Sequence, residues 1–337
     1  MKYLVPLALL LALPGSALAQ TTISFGPGIG IDGAGATATG SEVRITAGGR
    51  YVLSGTSADG SIVVDAPGQA VELELNGLDL THTDGPAILF LATEPARLML
   101  ADGSSNSLAD GGRSEFDAAI YSRPSLAFGG SGALAITAVY EGISSEMHLD
   151  FTGGDIAIRA GEDGINANND GVSIITVSGG SLSIVTSGGD GIDSNGAIVI
   201  TGGTVHTFAS PTGANSGLDA DNGSTISGGT VVNTSSRRGA QMARLGGAQP
   251  IVTAAFPEPQ PAGTVVALVG PNGPELVFSA PSTFQHLAFS SPAVVPGANY
   301  EVFISGPADG QAPGVMPTER FAGGTRVGTV TASQPRP

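Results

Sequence analysis

The residues 162–195 read EDGINANNDGVSIITVSGGSLSIVTSGGDGIDSN and contain one full copy of a pattern that the chain repeats. Each copy begins with a short step of polar residue, glycine and apolar residue, as at 163–165 and 190–192. It continues through a Gly-Gly turn into a strand of alternating apolar and polar residues, as at 179–184. The apolar residues of the steps are Ile143, Ile165, Ile192 and Leu218, so the copies are 22, 27 and 26 residues apart. A period in the twenties built from strands and turns predicts a β-solenoid, in which each repeat is one coil.

The same style of strand and turn divides the rest of the chain into segments. Short alternating strands bounded by Gly, Asp or Asn predict a solenoid over residues 20–255. A proline-rich break at 256–261 precedes strands that we expect to form a terminal cap at 262–306, and the Gly/Pro-rich stretch 307–337 predicts a flexible tail. Because right-handed crossovers are the physical default, the predicted fold class is all-β, a right-handed parallel β-helix with a short C-terminal β-strand unit.

Residues 1–19 have the features of a secretory signal peptide. Lys2 supplies the positive charge, residues 4–13 the apolar segment, and residues 17–19 (ALA) the small-residue cleavage site. The apolar run is short for a membrane span, and no later segment could span a membrane. We therefore expect the mature protein to be exported, to the periplasm or the extracellular space. The chain has no cysteine, so disulfides do not stabilise it there.

The charge balance is strongly acidic and limits the possible partners. The chain has 29 Asp and Glu residues against 13 Lys and Arg residues, for a formal net charge of −16. Nucleic acids and anionic membranes require a basic face, so we expect neither as a partner. Lys2 is the only lysine, so a chain cleaved after residue 19 has arginine as its only strong cation.

The repeat predicts columns of carboxylates along the solenoid. Equivalent residues of successive parallel coils stack about 4.8 Å apart. Asp163 and Asp190 then fall in one column, and Asp193 and Asp219 fall in the next. Two carboxylates about 5 Å apart repel by roughly 3 kcal/mol at an effective dielectric constant near 20. The predicted columns therefore need cations to neutralise them.

Calcium is the cation that suits such columns best. Between residues 117 and 236 the only strong cations of the chain are Arg123 and Arg159, too few to neutralise the columns. Calcium takes six to eight oxygen ligands from carboxylates, amide carbonyls and backbone, in flexible geometry. The alternative is that these residues form solvated turns, where Asp and Asn occur because they tolerate turn conformations. The residues alone leave both interpretations open.

Four further stretches, together with the acidic-glycine steps, carry a resemblance to a known family. They are ITAGGRYVLSGT at 45–56, LELNGLDL at 73–80, LADGSSNSL at 100–108 and FSSP at 289–292. In this order they resemble the secreted carbohydrate-binding β-helix family, whose described member binds polygalacturonic acid and cellulosic material. The resemblance spans about residues 22–306. It implies a right-handed parallel β-helix, bound calcium, and a shape related to the pectate lyases of polysaccharide lyase family nine.

The resemblance extends to individual residues only at the acidic-glycine steps. The candidate metal ligands there are Asp163, Asn166, Asp190, Asp193, Asp219 and Asp221, with Glu141, Glu146 and Glu162 as secondary candidates. Tyr121, Arg123 and Tyr140 are candidates for contact with sugar, and the tyrosines have a core or edge role as the alternative. The expected partner is a polysaccharide of acidic, pectin-like type, bound with the help of Ca²⁺.

Three functions are compatible with these features. We expect a non-catalytic carbohydrate-binding protein, and the alternatives are a polysaccharide lyase and a structural or adhesive surface protein. A lyase needs a base beside the uronate carboxylate, and the related lyases use a lysine that this chain lacks after residue 2. Arg159 could replace the lysine in principle, but arginine side chains in general are poor bases. A glycoside hydrolase needs a defined carboxylate pair, and nothing in the sequence marks one.

Overall fold

The computed structural model describes residues 20–112, 114–236, 244–306 and 313–333. In these residues the protein is all-β, with 33 strands, one short 3-10 helix (Thr318–Arg320) and no α-helix. The proposed signal peptide, residues 1–19, lies outside the described residues. The prediction of an all-β solenoid is confirmed.

The solenoid has three faces, and its strands pair in parallel from coil to coil. The first face contains β5 (Gly49–Ser57), β7 (Val71–His82), β9 (Ala96–Leu100), β12 (Leu126–Gly130), β15 (Leu149–Phe151), β18 (Ile174–Val177), β21 (Ala197–Ile200), β24 (Ser224–Ile226) and β26 (Leu245–Gly246). The second face continues from the bent strands β5 and β7 into β10 (Ser105–Asp110), β13 (Ala133–Ala138), β16 (Asp155–Ala160), β19 (Ser181–Thr186), β22 (Thr204–Phe208) and β25 (Thr230–Ser235). Because β5 and β7 span both faces, the two faces form one continuous sheet.

The third face is a separate nine-stranded sheet, and it carries the acidic-glycine steps. Its strands are β3 (Ala36–Thr39), β4 (Glu42–Ile45), β6 (Ser61–Asp65), β8 (Ile88–Ala92), β11 (Ala118–Ser122), β14 (Glu141–Ser145), β17 (Ile165–Ala167), β20 (Ile192–Ser194) and β23 (Leu218–Ala220). From β4 to β23 these strands are parallel neighbours, so the solenoid has eight coils. The period of 22 to 27 residues is therefore one turn around three strands.

The solenoid interior is a stack of apolar columns. Ile143, Ile165 and Ile192 are paired in register on the third face, and each is fully buried. On the first face, Phe128 and Phe151 stack with ring centroids 4.8 Å apart. Full burial of one such side chain contributes about 1.5–3 kcal/mol, so the repeated columns stabilise a chain that has no disulfides.

The glycines of the repeat are required by two different kinds of crowding. Gly180, in the Gly-Gly turn, has φ = +75°, and a Cβ atom there would lie 2.6 Å from the carbonyl carbon of Gly153 in the preceding coil. Gly164, in the acidic-glycine step, has ordinary φ, but a Cβ atom would collide with the side chain of Ile184. The first glycine therefore permits a left-handed turn, and the second permits close packing of the turn on the core.

Antiparallel strands close both ends of the solenoid. At the N-terminal end, β1 (Gln20–Phe25) pairs in parallel with β5 and antiparallel with β2 (Gly30–Asp32), and β3 pairs antiparallel with β4. At the C-terminal end, β30 (Phe284–Ser290) pairs with both β25 and β27 (Ile251–Gln260). Two prolines of the predicted break, Pro257 and Pro259, lie in β27, which tolerates them because its register with β30 shifts between Ala255 and Gln260.

The C-terminal unit is larger than the predicted cap at 262–306. Its five-stranded sheet contains β28 (Val265–Gly270), β29 (Gly273–Ser279), β31 (Asn299–Ser305), β32 (Gly314–Met316) and β33 (Thr325–Thr331). The last two strands lie in the stretch 307–337 for which we expected a flexible tail, so that boundary is wrong for residues 313–333. The reason is that β33 pairs with β31 and β32 pairs with β29, and these pairings order a Gly/Pro-rich segment.

Candidate metal and glycan site

The acidic-glycine steps align in one column on the third face. Gly142 N donates to Asp163 O, and Gly164 N donates to Asp190 O, each at 3.0 Å. This register places Glu141, Asp163, Asp190 and Ser216 in successive coils, one above another. The structure therefore contains the predicted stack of acidic-glycine steps.

Two more columns run beside the first. The second column contains Tyr121, Ser144, Asn166, Asp193 and Asp219. The third contains Arg123, Glu146, Asn168, Asn195 and Asp221, aligned by backbone hydrogen bonds such as the one from Asn168 N to Ser145 O at 2.9 Å. We call the surface formed by the three columns the acidic face. It brings together all six candidate metal ligands in three successive coils.

Two of the carboxylates already accept hydrogen bonds from the next coil. Asp190 N donates to Asp163 Oδ1 at 2.6 Å, and Ser216 N donates to Asp190 Oδ1. Each bond satisfies a backbone N–H at the turn, where the sheet ladder does not supply an acceptor. Asp163 and Asp190 therefore have a structural role that does not depend on a metal, in addition to any role as ligands.

Glu141 and Asn166 are the most deeply buried of the candidate metal ligands on the acidic face. Asn166 Nδ2 donates to Glu141 Oε1 at 2.5 Å. The two residues are 7% and 8% exposed, respectively. Glu141 Oε2 and Asn166 Oδ1 are both buried and have no hydrogen-bond partner. A buried oxygen without a partner costs about 1–3 kcal/mol and more when it is charged, so this pair offers two acceptors to a bound cation.

Burial and mutual repulsion raise the pKa values of the carboxyl groups here. Burial raises the pKa of Glu141 to about 8 and the pKa values of Asp190 and Asp193 to about 7. Repulsion from Asp163 adds to the increase for all three groups. The pKa of Asp219 is also raised by burial, although Arg244 opposes that increase. Side chains of the protein therefore leave most of this negative charge uncompensated.

In the described part of the chain, no three His, Asp or Glu side chains already converge on one point as a closed metal cluster. The oxygen donors instead spread over several coils and include the amide oxygen of Asn166. Such a donor set suits a cation that accepts many oxygens in flexible geometry, which is the behaviour of calcium. Among the secondary candidates, Glu141 lies inside the acidic face and Glu162 is exposed beside it.

The three candidates for sugar contact differ in exposure. Tyr121 is only 9% exposed, which agrees with the core or edge role given above as the alternative, and its hydroxyl donates to Glu146 Oε1 at 3.1 Å. Tyr140 is 40% exposed and directly precedes Glu141. Arg123 is exposed, and its Nε lies 3.5 Å from Glu146 Oε1. Sequence reasoning missed Phe116, whose ring packs against Tyr121 with centroids 4.9 Å apart. An aromatic residue in the polar loop before β11 was the available signal.

The fold and this face define a parallel β-solenoid with an acidic outer surface. The family model described as "Carbohydrate-binding domain-containing protein" matches residues 39–254, which are 216 of the 337 residues. The protein belongs to this family of carbohydrate-binding domain proteins. Among the described residues, no helix is long and apolar enough to cross a membrane.

Two relatives are similar over parts of the chain. A carbohydrate-binding domain-containing protein of Acetivibrio thermocellus is 38% identical over 130 residues, which are 35% of this chain and 45% of that protein. The match thus covers less than half of that relative's length. A solved structure described as the polysaccharide lyase-like protein from C. thermocellum, gadolinium derivative, has a TM-score of 0.51 and 29% identity. That match covers 63% of this chain and 93% of that chain.

Proposed function

We propose that this protein is an exported, non-catalytic carbohydrate-binding protein that recognises acidic, pectin-like polysaccharide with the help of calcium. Membership of the carbohydrate-binding family supports the class of ligand. The observation that carries the calcium assignment is the pair of buried, unpartnered oxygens on Glu141 and Asn166 inside a column of carboxylates. A solvated turn would leave such oxygens in contact with water.

The residues that would hold calcium lie in successive coils of the acidic face. Asn166 and Glu141 supply the unpartnered oxygens, and Asp163, Asp190 and Asp193 supply carboxylates from the neighbouring coils. Asp219 and Asp221 extend the same donor set by one coil. When bound, calcium would neutralise these carboxylates and present a positive charge at the surface.

The same charge explains why an acidic glycan could bind to so acidic a protein. With a formal charge of −16, the chain repels a polyuronate, and the repulsion is strongest at the acidic face. A calcium ion held by the protein, with coordination positions open to the outside, can accept a uronate carboxylate. A neutral glycan needs no such bridge, so its binding does not depend on the ion.

The non-catalytic assignment rests on the residues around the acidic face. After residue 2 the chain has no lysine that could act as a lyase base. Arg159 lies in β16 on the second face, in register with Thr137 and Val185, and so on a different side of the solenoid from the carboxylates. A base must lie within about 2.6–3.2 Å of the proton that it removes. Arg159 is exposed on that neighbouring face and is not one of the groups of the acidic face.

Affinity electrophoresis tests this function. We expect polygalacturonate to retard the mature protein in calcium but not in excess chelator, while retardation by a neutral glycan, if present, survives chelation. The double variant Asp190→Asn/Asp193→Asn should lose the calcium-dependent retardation. The control Asp150→Asn/Asp155→Asn removes the same charge from the other two faces and should behave as wild type. Retardation by no glycan under either condition would instead favour a structural or adhesive protein.

A further inference from the structure

At one end of the acidic face, a cation and two aromatic rings form a compact cluster. The guanidinium carbon of Arg123 lies 5.4 Å from the centroid of the Phe116 ring. The Phe116 ring in turn packs on the ring of Tyr121. Glu146 accepts from the Tyr121 hydroxyl at 3.1 Å and lies 3.5 Å from Arg123 Nε, so one carboxylate holds both side chains in place. This cluster is not used by the calcium assignment above.

The guanidinium of Arg123 remains available to a ligand. The Arg123 side chain is 49% exposed. Its one ion pair in the described residues uses Nε, so the two terminal nitrogens remain open to a ligand. The Arg123 guanidinium lies over the face of the Phe116 ring, and this cation–π contact limits the orientations that the guanidinium can adopt. A planar guanidinium held in this way suits bidentate binding of a carboxylate.

The position of Arg123 connects it to the calcium ligands. It is the first residue of the third column, and Glu146, Asn168, Asn195 and Asp221 follow it in successive coils. With about 4.8 Å between coils, Arg123 lies one coil before Glu141 and three coils before Asp190. A polysaccharide lying along the columns would meet calcium and Arg123 at separate sugar units.

We propose that Arg123 directly binds a uronate carboxylate, without a metal, at one end of a glycan that runs along the solenoid axis over the acidic face. This inference rests on the proposed function, because it assumes that an acidic glycan binds there. Phe116 supports the guanidinium, and Tyr121 and Glu146 position it. The uncharged methyl ester of the same glycan lacks the carboxylate that Arg123 recognises.

The test uses calcium-saturated protein and two probes, polygalacturonate and its fully methyl-esterified form. We expect Arg123→Ala to weaken polygalacturonate binding about tenfold and to leave the affinity for the ester unchanged. Arg123→Lys keeps the charge but loses the planar fork, so it should recover only part of the affinity. Arg159→Ala is the matched control, because it removes one exposed arginine from the second face. The affinity of Arg159→Ala for polygalacturonate should stay within about twofold of that of the wild-type protein.

Each other outcome has a definite meaning. Equal weakening by Arg123→Ala and Arg159→Ala would show that only net charge matters, and it would overturn the inference. Full affinity in Arg123→Ala, with wild-type protein that binds polygalacturonate in calcium, would overturn the inference alone. Failure of wild-type protein to bind polygalacturonate at all would overturn the proposed function and the inference with it. Melting temperatures should agree among the variants, because an exposed ion pair contributes at most about 1 kcal/mol.

Discussion

Asn166 Nδ2 donates to Glu141 Oε1 at 2.5 Å across two neighbouring coils, while Glu141 Oε2 and Asn166 Oδ1 are buried without a partner. Asn166 Nδ2 also lies 3.5 Å from Asp163 Oδ2, so the amide donates to carboxylates of both coils while its own carbonyl oxygen has no donor. This arrangement is unfavourable for the chain alone. The calcium ion that we propose would relieve this cost by taking both oxygens as ligands.

Removal of calcium should lower the melting temperature of the mature protein. An ion that binds only the folded form stabilises it by about 2.7 kcal/mol at a hundredfold excess over its Kd. The double variant Asp190→Asn/Asp193→Asn should lose most of this dependence, because it removes two buried carboxylates of the acidic face. Calorimetry measures both effects. Absence of a calcium heat, together with an unchanged melting temperature in chelator, would mean that the columns are solvated turns.

Without calcium, the stability of the protein should fall as pH rises from about 5 to about 9. The folded-state pKa values of Glu141, Asp190 and Asp193, about 8, 7 and 7, lie above the ordinary carboxyl range. Between the unfolded and folded pKa values the folded state holds more protons, so the free energy of unfolding decreases with pH. Thermal melts in chelator across this range measure the slope.

Calcium should reverse this pH trend, because its ligands must be deprotonated. The melting-temperature difference between calcium and chelator should therefore be larger near pH 9 than near pH 5. The variant Asp190→Asn/Asp193→Asn is the control and should have a flatter profile in chelator. A chelated wild-type protein that becomes more stable with rising pH would contradict the raised pKa values.

The period of the sequence was sufficient to predict the solenoid, because each repeat contributes one coil and register follows from repetition. Asp163 and Asp190, or Asp193 and Asp219, are neighbours in space because they are equivalent in the repeat. The extent of the C-terminal unit was not predictable in the same way. The pairing of Thr325–Thr331 with β31 depends on a partner strand that no local pattern identifies.

The candidate site was only partly predictable for a similar reason. Column membership follows from the repeat, but the burial of Glu141 and its bond to Asn166 depend on how side chains pack between coils. The alternation along β11 predicts that Tyr121 points outward. Packing against Phe116 and the hydrogen bond to Glu146 nevertheless cover most of its side chain. Exposure of a large side chain at a coil surface is set by loops such as the one that carries Phe116, which lie outside the repeat.

Replacement of Ile165 by Asp should destabilise the solenoid by several kcal/mol. Ile165 is fully buried between Ile143 and Ile192 in the apolar column of the third face, so the new carboxylate would have no partner. Ala157→Asp is the control. Ala157 is exposed on β16, so this substitution adds the same charge outside the core. Thermal or denaturant unfolding compares the two. Equal stability of both variants would show that the inside of the coil is wrongly assigned.

The mature protein should release no unsaturated uronate from pectate at alkaline pH in added calcium. Elimination requires a base at the proton beside the carboxylate and a cation that acidifies that proton, both on the same sugar unit. The carboxylates that would hold calcium lie on the third face, whereas Arg159, the one substitute base that we considered, lies in β16 on the second face. The two groups therefore belong to different faces, and the structure does not pair them as base and metal site. Ultraviolet absorbance of the product, followed over time with purified protein, measures the reaction. A steady increase that Arg159→Ala abolishes would establish a lyase and would overturn the non-catalytic assignment.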